Sequence, residues 1–294
     1  MERYTNTSLI ITESLTSMFR SWWFDPLVAS IGFFASIMIY THFEFKEGKS
    51  SYKSWREFLW GKGIDHIDAR PSLNMSLFAY WVGVFIWVNV VPPPTLMSVP
   101  GGDNNNNPRQ YIQHSIPDGI PTSISSLSYL LLEVVSGILL YDAIIFFIHL
   151  AMHECPYIAW LTKHSEHHKA TKNLEARHVL RHSLIDGSLQ VLVNIFVQRY
   201  TPWGYVKSRF ARVLHNLIVT MMLTESHSAS SNPNLFKWWC VGVREHRNHH
   251  LGIYRKKESR DDKGKLHYHN HRFQQFFGHW DYLWELYLSS TVKE

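Results

Sequence analysis

Three long stretches with almost no charge dictate most of what this chain can become. Pro26 to Phe43 ("PLVASIGFFASIMIYTHF") has no Lys, Arg, Asp or Glu, and Met75 to Val91 ("MSLFAYWVGVFIWVNVV") runs uncharged until Pro92, Pro93 and Pro94 stop it. Ser126 to Met152 is longer and carries only Glu133 and Asp142. A helix of about twenty apolar residues crosses roughly 30 Å of hydrocarbon, so each block is read as a membrane-spanning helix. Trp and Tyr near the block ends suit the bilayer interface. Buried helices of a soluble protein are the alternative. The mean hydropathy of −0.17 does not decide between them, because a polar second half offsets the apolar blocks.

The loops orient the blocks. Glu44 to Asn74 holds Lys46, Lys49, Lys53, Arg56, Lys62 and Arg70, whereas Pro92 to Thr122 holds only Arg109. Basic loops stay cytoplasmic, so the first loop is expected inside, the Asn-rich "VPGGDNNNNPRQ" outside, and the third block returns the chain to the cytosol near His149. Two shorter apolar stretches follow, Ser188 to Gln198 and Phe210 to Thr224, joined by "RYTPWGYVKSR". That pair either crosses the bilayer twice as a hairpin or lies in its interface. The expected fold is all-α: an integral membrane bundle of about four transmembrane helices, capped by a cytosolic helical domain. Residues 1–125 form the N-terminal transmembrane helices and loops, and residues 126–294 form the domain that carries the chemistry.

Composition removes several function classes. With 29 Lys and Arg against 24 Asp and Glu the chain is mildly basic, but no basic stripe or recognition module appears, so no nucleic-acid partner is expected. Two Cys cannot staple a secreted domain, and a reducing compartment fits better. The amino terminus lacks the basic start, long apolar run and cleavage site of a signal peptide.

Histidine is the exception: there are 19. They fall into boxes, His149-x-x-x-His153 at the end of the third block, then "HSEHH" (His164, His167, His168) and "HRNHH" (His246, His249, His250). Residues three and four apart share a helix face, so each box aims two or three imidazoles one way. At this composition a given His-x-x-His-His window arises by chance about 3 times in 10,000. Imidazole binds Fe, Zn, Cu and Ni, and eight rings exceed the four ligands of one tetrahedral zinc. Shared between two ions they give about four each. His182 and His227 are plausible additions, while His178 and His215 are read as structural. His267, His269 and His271 alternate as in an extended segment and fit a solvated loop. Asp142 lies seven residues before His149 on the same face. Its expected task is to accept the free ring N–H of a liganding His. No His-Glu-x-x-His peptidase signature and no paired Cys for structural zinc occur.

These residues together resemble the fatty acid hydroxylase/sterol desaturase superfamily, membrane non-haem di-iron oxygenases. The resemblance runs over roughly Ser126 to Tyr287 and includes Asp142, "HLAMH", "HSEHH", "EHRNHH", His227-Ser228 and a closing "HWDYLWELY". "HSLIDGSLQ" at His182 to Gln190 is similar to sterol C5-desaturases (lathosterol oxidases). The chain departs from the usual pattern at Phe146 (Tyr), Leu150 (Arg) and Ser183 (Pro), and "RKKESRDDKGKLHYHN" looks like an insertion. The resemblance implies two irons, O2, and electrons that come from NAD(P)H by way of a reductase and cytochrome b5. It further implies a multi-pass endoplasmic reticulum protein with cytosol-facing boxes that oxidises a lipid C–H bond, with sterol C5-desaturation leading. Sterol C4-methyl oxidation and fatty acyl or sphingolipid hydroxylation are alternatives. A membrane metal transporter is the rival of another class, but it would place ligands within its spanning helices, often in repeated halves.

Overall fold

The computed structural model describes residues 23–60, 78, 81–83, 85–86, 124–168, 174–202, 207–251, 258–260, 266–268 and 273–291. The extreme amino terminus, most of the second apolar block, the Asn-rich turn, His269 and His271 lie outside the described residues. Helices α1 (Phe24–Lys46), α2 (Trp55–Trp60), α3 (Ile124–Glu154), α4 (Pro156–Thr162) and α5 (His164–His167) lead to a 3₁₀ turn at Ala176–Leu180. Then come α6 (Leu184–Arg199), α7 (Arg209–His227), α8 (Val241–His250) and α9 (His279–Thr291). Among the described residues, one short antiparallel ribbon, β1 (Glu258–Arg260) with β2 (Leu266–Tyr268), interrupts the all-α pattern. It sets His267 opposite Ser259, in keeping with the extended reading of that segment.

Helix α1 and the Leu127–Glu154 part of α3 are long and apolar enough to cross a membrane. Their outward faces are apolar as well as their inward ones. Leu27, Ile31, Phe34 and Ile39 of α1 are exposed, as are Leu131, Leu132, Val135, Leu139 and Phe147 of α3. On α3 the inward stripe is Leu130, Val134, Ile138, Tyr141 and Ile145, one residue per turn. A surface helix of a water-soluble protein would carry polar residues on the outer side.

Local chemistry sets the ends. Pro26 sits in the first turn of α1, where its missing N–H costs nothing. Ser183 caps α6 by accepting from Asp186 N–H (3.1 Å), and Ser208 caps α7 by accepting from Ala211 N–H (3.3 Å). Helix α4 stops where Lys163 adopts a left-handed φ of 49°, its N–H bonding Ala159 O at 3.0 Å. That reversal turns the second box back toward α3.

Cross-helix contacts give the directions. Along α1 and α7, Asp25 pairs with Arg212 (2.7 Å), Tyr40 donates to Glu225, and Ser228 just past α7 donates to Glu44 (2.8 Å), so these helices run parallel. Helix α3 follows the same course: Ser208 donates to Glu133 (2.7 Å) and Tyr141 meets His215 edge-on (6.4 Å). Helix α6 returns antiparallel to α7, joining Asn194 and Gln198 to Asn216. The hairpin of 16 and 19 residues spans about 24 and 28 Å. It therefore runs beside α1 and α3 as part of one bundle. Because α1 and α3 point the same way, the chain must return between them. The described pieces of the second apolar block lie on that route: Trp81 donates to Ser30 Oγ (3.3 Å), and Gly83 lies beneath Ile195.

Candidate metal centre

The carboxyl ends of α3 and α7 and the amino end of α6 meet at one end of the bundle, and α5 and α8 close over it. One turn apart on α3, His149 and His153 bring their Nε2 atoms within 3.1 Å. From α8, His249 Nε2 reaches His153 Nε2 at 3.2 Å, and the His168 ring completes a group of four whose donor atoms all lie within 4.8 Å of one another. A second four forms alongside from His167, His227, His246 and His250, with His167–His227 at 3.3 Å and His246–His250 at 3.1 Å between Nε2 atoms. The doubled motif now has a geometric reason. Each His-His doublet is split, His168 and His249 to one group, His167 and His250 to the other. The groups adjoin, with the His168 and His250 rings stacked at 4.4 Å.

These spacings suit a metal. Two ligands about 2.0–2.1 Å from one ion, at angles between square and tetrahedral, sit about 2.8–3.4 Å apart. The ring tautomers make the point more sharply. His149 Nδ1 donates to Phe273 O (2.7 Å), His167 Nδ1 to Arg181 O (2.8 Å) and His227 Nδ1 to Leu223 O (2.8 Å). A carbonyl oxygen can only accept, so Nδ1 carries the hydrogen and Nε2 of the neutral ring presents a lone pair. His167 and His227 thus face each other, lone pair to lone pair, at 3.3 Å. Only an electrophile between them relieves that repulsion. A proton is a poor candidate, since burial, reinforced by the neighbouring imidazoles, holds His167 well below the ordinary histidine value. His168, His246, His249 and His250 are depressed for the same two reasons. The donor set is nitrogen-rich, without thiolate or carboxylate in either group, which disfavours Mg and Ca and suits Fe, Zn, Cu or Ni.

Eight of the ten expected ligands fall in the two groups. The other two stand at their edges: His164 Nε2 lies 2.9 Å from His168 Nε2, and His182 stacks on His167 at 4.1 Å. His178 accepts from Glu175 N–H (2.9 Å) within the 3₁₀ turn, and His215 is buried against Tyr141. Both lie outside the two groups.

One expectation is corrected. Asp142 touches no histidine among the described residues. It is fully buried and accepts from Gln274 Nε2 and from the backbone N–H groups of Gln275 (3.2 Å), Phe276 (2.9 Å) and Phe277 (3.3 Å). The face was right, but a loop intervenes, and that loop begins with Phe273, whose carbonyl holds His149. Asp142 therefore positions His149 at one remove. The carboxylate that does accept from histidines is Asp186, from His164 Nδ1 (2.8 Å) and His182 Nδ1 (3.3 Å). Asp186 stands in the first turn of α6, just past the Ser183 cap, and His182 precedes that cap. Asp281 of the closing "HWD" accepts from Phe273 N–H (2.7 Å) and steadies the same loop.

Two cavities adjoin the centre. A void of about 10 Å³ lies between His149, His164, His167 and His246 on one side and Ile145, Ile148 and Met152 on the other. That is room for about one water-sized molecule. A larger cleft of about 110 Å³ opens between α1, α6 and α7, lined mainly by apolar groups such as Phe33, Val179, Leu180, Val191 and Leu223 and ending at His182. Gln190 borders both cavities. Compared with known proteins, the chain matches no family model, no curated protein and no solved structure.

Proposed function

We propose that this chain is a membrane oxidoreductase that uses two irons and O2 to oxidise a lipid C–H bond, with C5-desaturation of a sterol as the leading reaction. The observation that carries the reading is the pair of four-histidine groups, lone pairs converging, beside an apolar cleft in a bundle with lipid-like outer faces. Iron, when bound, supplies the O2 activation that no side chain offers. His149, His153, His168 and His249 would hold one ion and His167, His227, His246 and His250 the other. His164 and His182 stand ready at the edges.

The chain's own residues do the rest. Asp186 and the carbonyls of Phe273, Arg181 and Leu223 fix which ring nitrogen is free. The void bounded by Ile145, Ile148 and Met152 keeps bulk water from the centre. The cleft receives the lipid from the side, and Gln190 stands between lipid and metal. With α1, the second apolar block, α3 and the α6–α7 hairpin in the bilayer, the centre sits at the cytosolic face of the endoplasmic reticulum. Exposed Tyr157, Trp160, Trp238 and Trp239 near that end suit the interface. Cytochrome b5 and its reductase would deliver electrons there.

Two measurements test the proposal. Protein purified without oxygen should carry about two irons per chain, and His167→Ala or His249→Ala should lose iron and all turnover. A variant that keeps both would remove its box from the site. Expression in a yeast lacking its sterol C5-desaturase should restore 5,7-diene sterols. Their absence from an iron-loaded protein shifts the reaction to C4-methyl oxidation or acyl hydroxylation, whereas freely exchanging zinc in place of iron would favour a transporter.

A further inference from the structure

The apolar surface does not end with the helices long enough to cross a membrane. Helix α9 is tied to the body at its first turn. There Trp280 stacks on Phe146 (ring centroids 6.2 Å) and packs beside Phe147 (5.5 Å), while Asp281 accepts from Phe273 N–H (2.7 Å). Beyond that turn Tyr282, Leu283, Leu286 and Tyr287 are 48–60 % exposed. Positions i, i+1, i+4 and i+5 share one face, about 140° wide at 100° per residue. The two acids of the helix, Asp281 and Glu285, stand on its other side, and it has no Lys or Arg. A helix that turned this face to water would carry charge there. Its serines also avoid the outside: Ser289 Oγ donates to Leu286 O (2.8 Å) and Ser290 Oγ to Tyr287 O (2.7 Å), closing both hydroxyls on the helix itself.

We infer that this face of α9 lies in lipid, as an anchor seated in the leaflet beside the metal end of the bundle. This rests on the reading of α3 as a membrane helix and extends it to an element too short to span. The 13 residues of α9 measure about 20 Å, against roughly 30 Å of hydrocarbon. Continuity, depth and area all choose lipid over a second copy of the chain. Trp280 packs on Phe147, which is itself exposed on the outer side of α3, so the two apolar surfaces join. Phe147 precedes the end of α3 at Glu154 by about 10 Å of helical rise, and interfacial helices bury their apolar face about 5–10 Å deep. The exposed parts of the four side chains come to roughly 450 Å², so pairing the face with its copy would cover about 900 Å², short of the 1,200 Å² or so of a specific interface. Without Lys or Arg on the helix, burial of apolar groups holds it, not attraction to anionic headgroups. Asp281 steadies the loop whose Phe273 carbonyl holds His149, so the anchor ties the metal centre to the bilayer surface.

The test is photocrosslinking of the full-length protein in nanodiscs of phosphatidylcholine alone. The photoreactive residue p-benzoylphenylalanine replaces Leu283, Leu286 or, on α3, Leu139, one position per sample, and the adducts are weighed by mass spectrometry. All three side chains are exposed, so none is needed for folding, and the two α9 positions guard against a variant that fails to fold. Leu139 reports separately whether α3 meets lipid. A gain of one phosphatidylcholine mass at Leu283 or Leu286, alongside the same gain at Leu139, is the expected result. A lipid adduct at Leu139 with none at either α9 position overturns the inference and leaves the membrane reading of α3 standing. An α9 adduct to a second chain, or to another part of the same chain, in place of lipid overturns it as well. If none of the three positions captures lipid, the reading of α3 fails together with the anchor.

Discussion

Asp142→Asn is the most revealing single change, because the substitution preserves shape and removes only the acceptor pattern. Four N–H groups converge on the Asp142 carboxylate, Gln275 and Phe276 on one oxygen and Gln274 Nε2 and Phe277 on the other. An amide offers one oxygen, so its NH2 must face two donors. If it replaces the second oxygen, Phe277 N–H is orphaned. Gln274 can turn its own oxygen inward only by abandoning Trp280 N–H, which it accepts at 2.7 Å. Two buried N–H groups then lack partners, at about 1–3 kcal/mol each, so the loss is about 2–6 kcal/mol. At this chain length that is roughly 5–20 °C in thermal midpoint, using about 2–4 °C per kcal/mol. The freed loop is the one whose first carbonyl holds His149, so bound-metal content should fall together with the midpoint. Both are read on detergent-purified protein by differential scanning fluorimetry and elemental analysis, with the exposed Leu139→Ala as a control that moves neither. A wild-type midpoint and full metal content in Asp142→Asn would show that the carboxylate does not hold the loop, and the account of its burial would be wrong.

Other changes probe separate links. Asp186→Asn should leave the fold intact and lower metal affinity, because it loosens His164, whose Nε2 lies 2.9 Å from that of His168, and His182, which stacks on His167; metal retained against a graded chelator checks it. Gly242→Ala should destabilise the protein strongly, since the added Cβ would lie 2.4 Å from the Phe276 carbonyl carbon, a backbone atom that cannot step aside. A melting curve unchanged from wild type would refute that close approach of α8 to the loop. For pH, His167, His168, His246, His249 and His250 are neutral in the folded chain because burial and neighbouring rings depress their pKa. Below about pH 6.5 the unfolded chain takes up protons that these buried rings refuse, so the rings' contribution to metal-free stability is flat above that value and falls beneath it. Each ring contributes about 1.4 kcal/mol of loss by pH 5.5. Equal midpoints for metal-free protein at pH 7.5 and 5.5 would contradict the depressed values.

Much of the centre was legible because helical spacing is a local rule. His149 with His153, His164 with His168 and His246 with His250 are one turn apart, and each pair indeed brings its Nε2 atoms within about 3 Å. His227 was legible as a candidate from its position after the last apolar stretch. The division of each His-His doublet between two groups was not, because it depends on how α5 and α8 dock, which no spacing encodes. Asp142 shows the same boundary from the other side. Its helix face could be read from the seven-residue interval, but its partners come from residues 274–277, more than 130 positions away. The hairpin formed by α6 and α7 was ambiguous in sequence because Lys207 and Arg209 suggested a wet tip. The structure pairs Arg209 (3.4 Å), and with it Arg212 (2.7 Å), to Asp25, so the tip can lie against α1.

One device recurs around the histidines and explains why so polar an end can close over an apolar bundle. Glu44 accepts from Ala176 N–H (2.8 Å) and Ala229 N–H (3.0 Å), and Glu225 from Leu235, Phe236 and Lys237 N–H at 2.7–3.1 Å. Asp142 and Asp281 do the same for residues 273–277. Each carboxylate stands on a helix and gathers the N–H groups of an irregular segment that would otherwise be unpaired away from water. The segments so held are the ones that flank the second and third boxes or supply the carbonyl to His149. Helices bring the rings to one end of the bundle, and these acids hold the connecting backbone in place so that the lone pairs converge. Metal affinity should therefore be lost by changes to these acids as well as by changes to the rings.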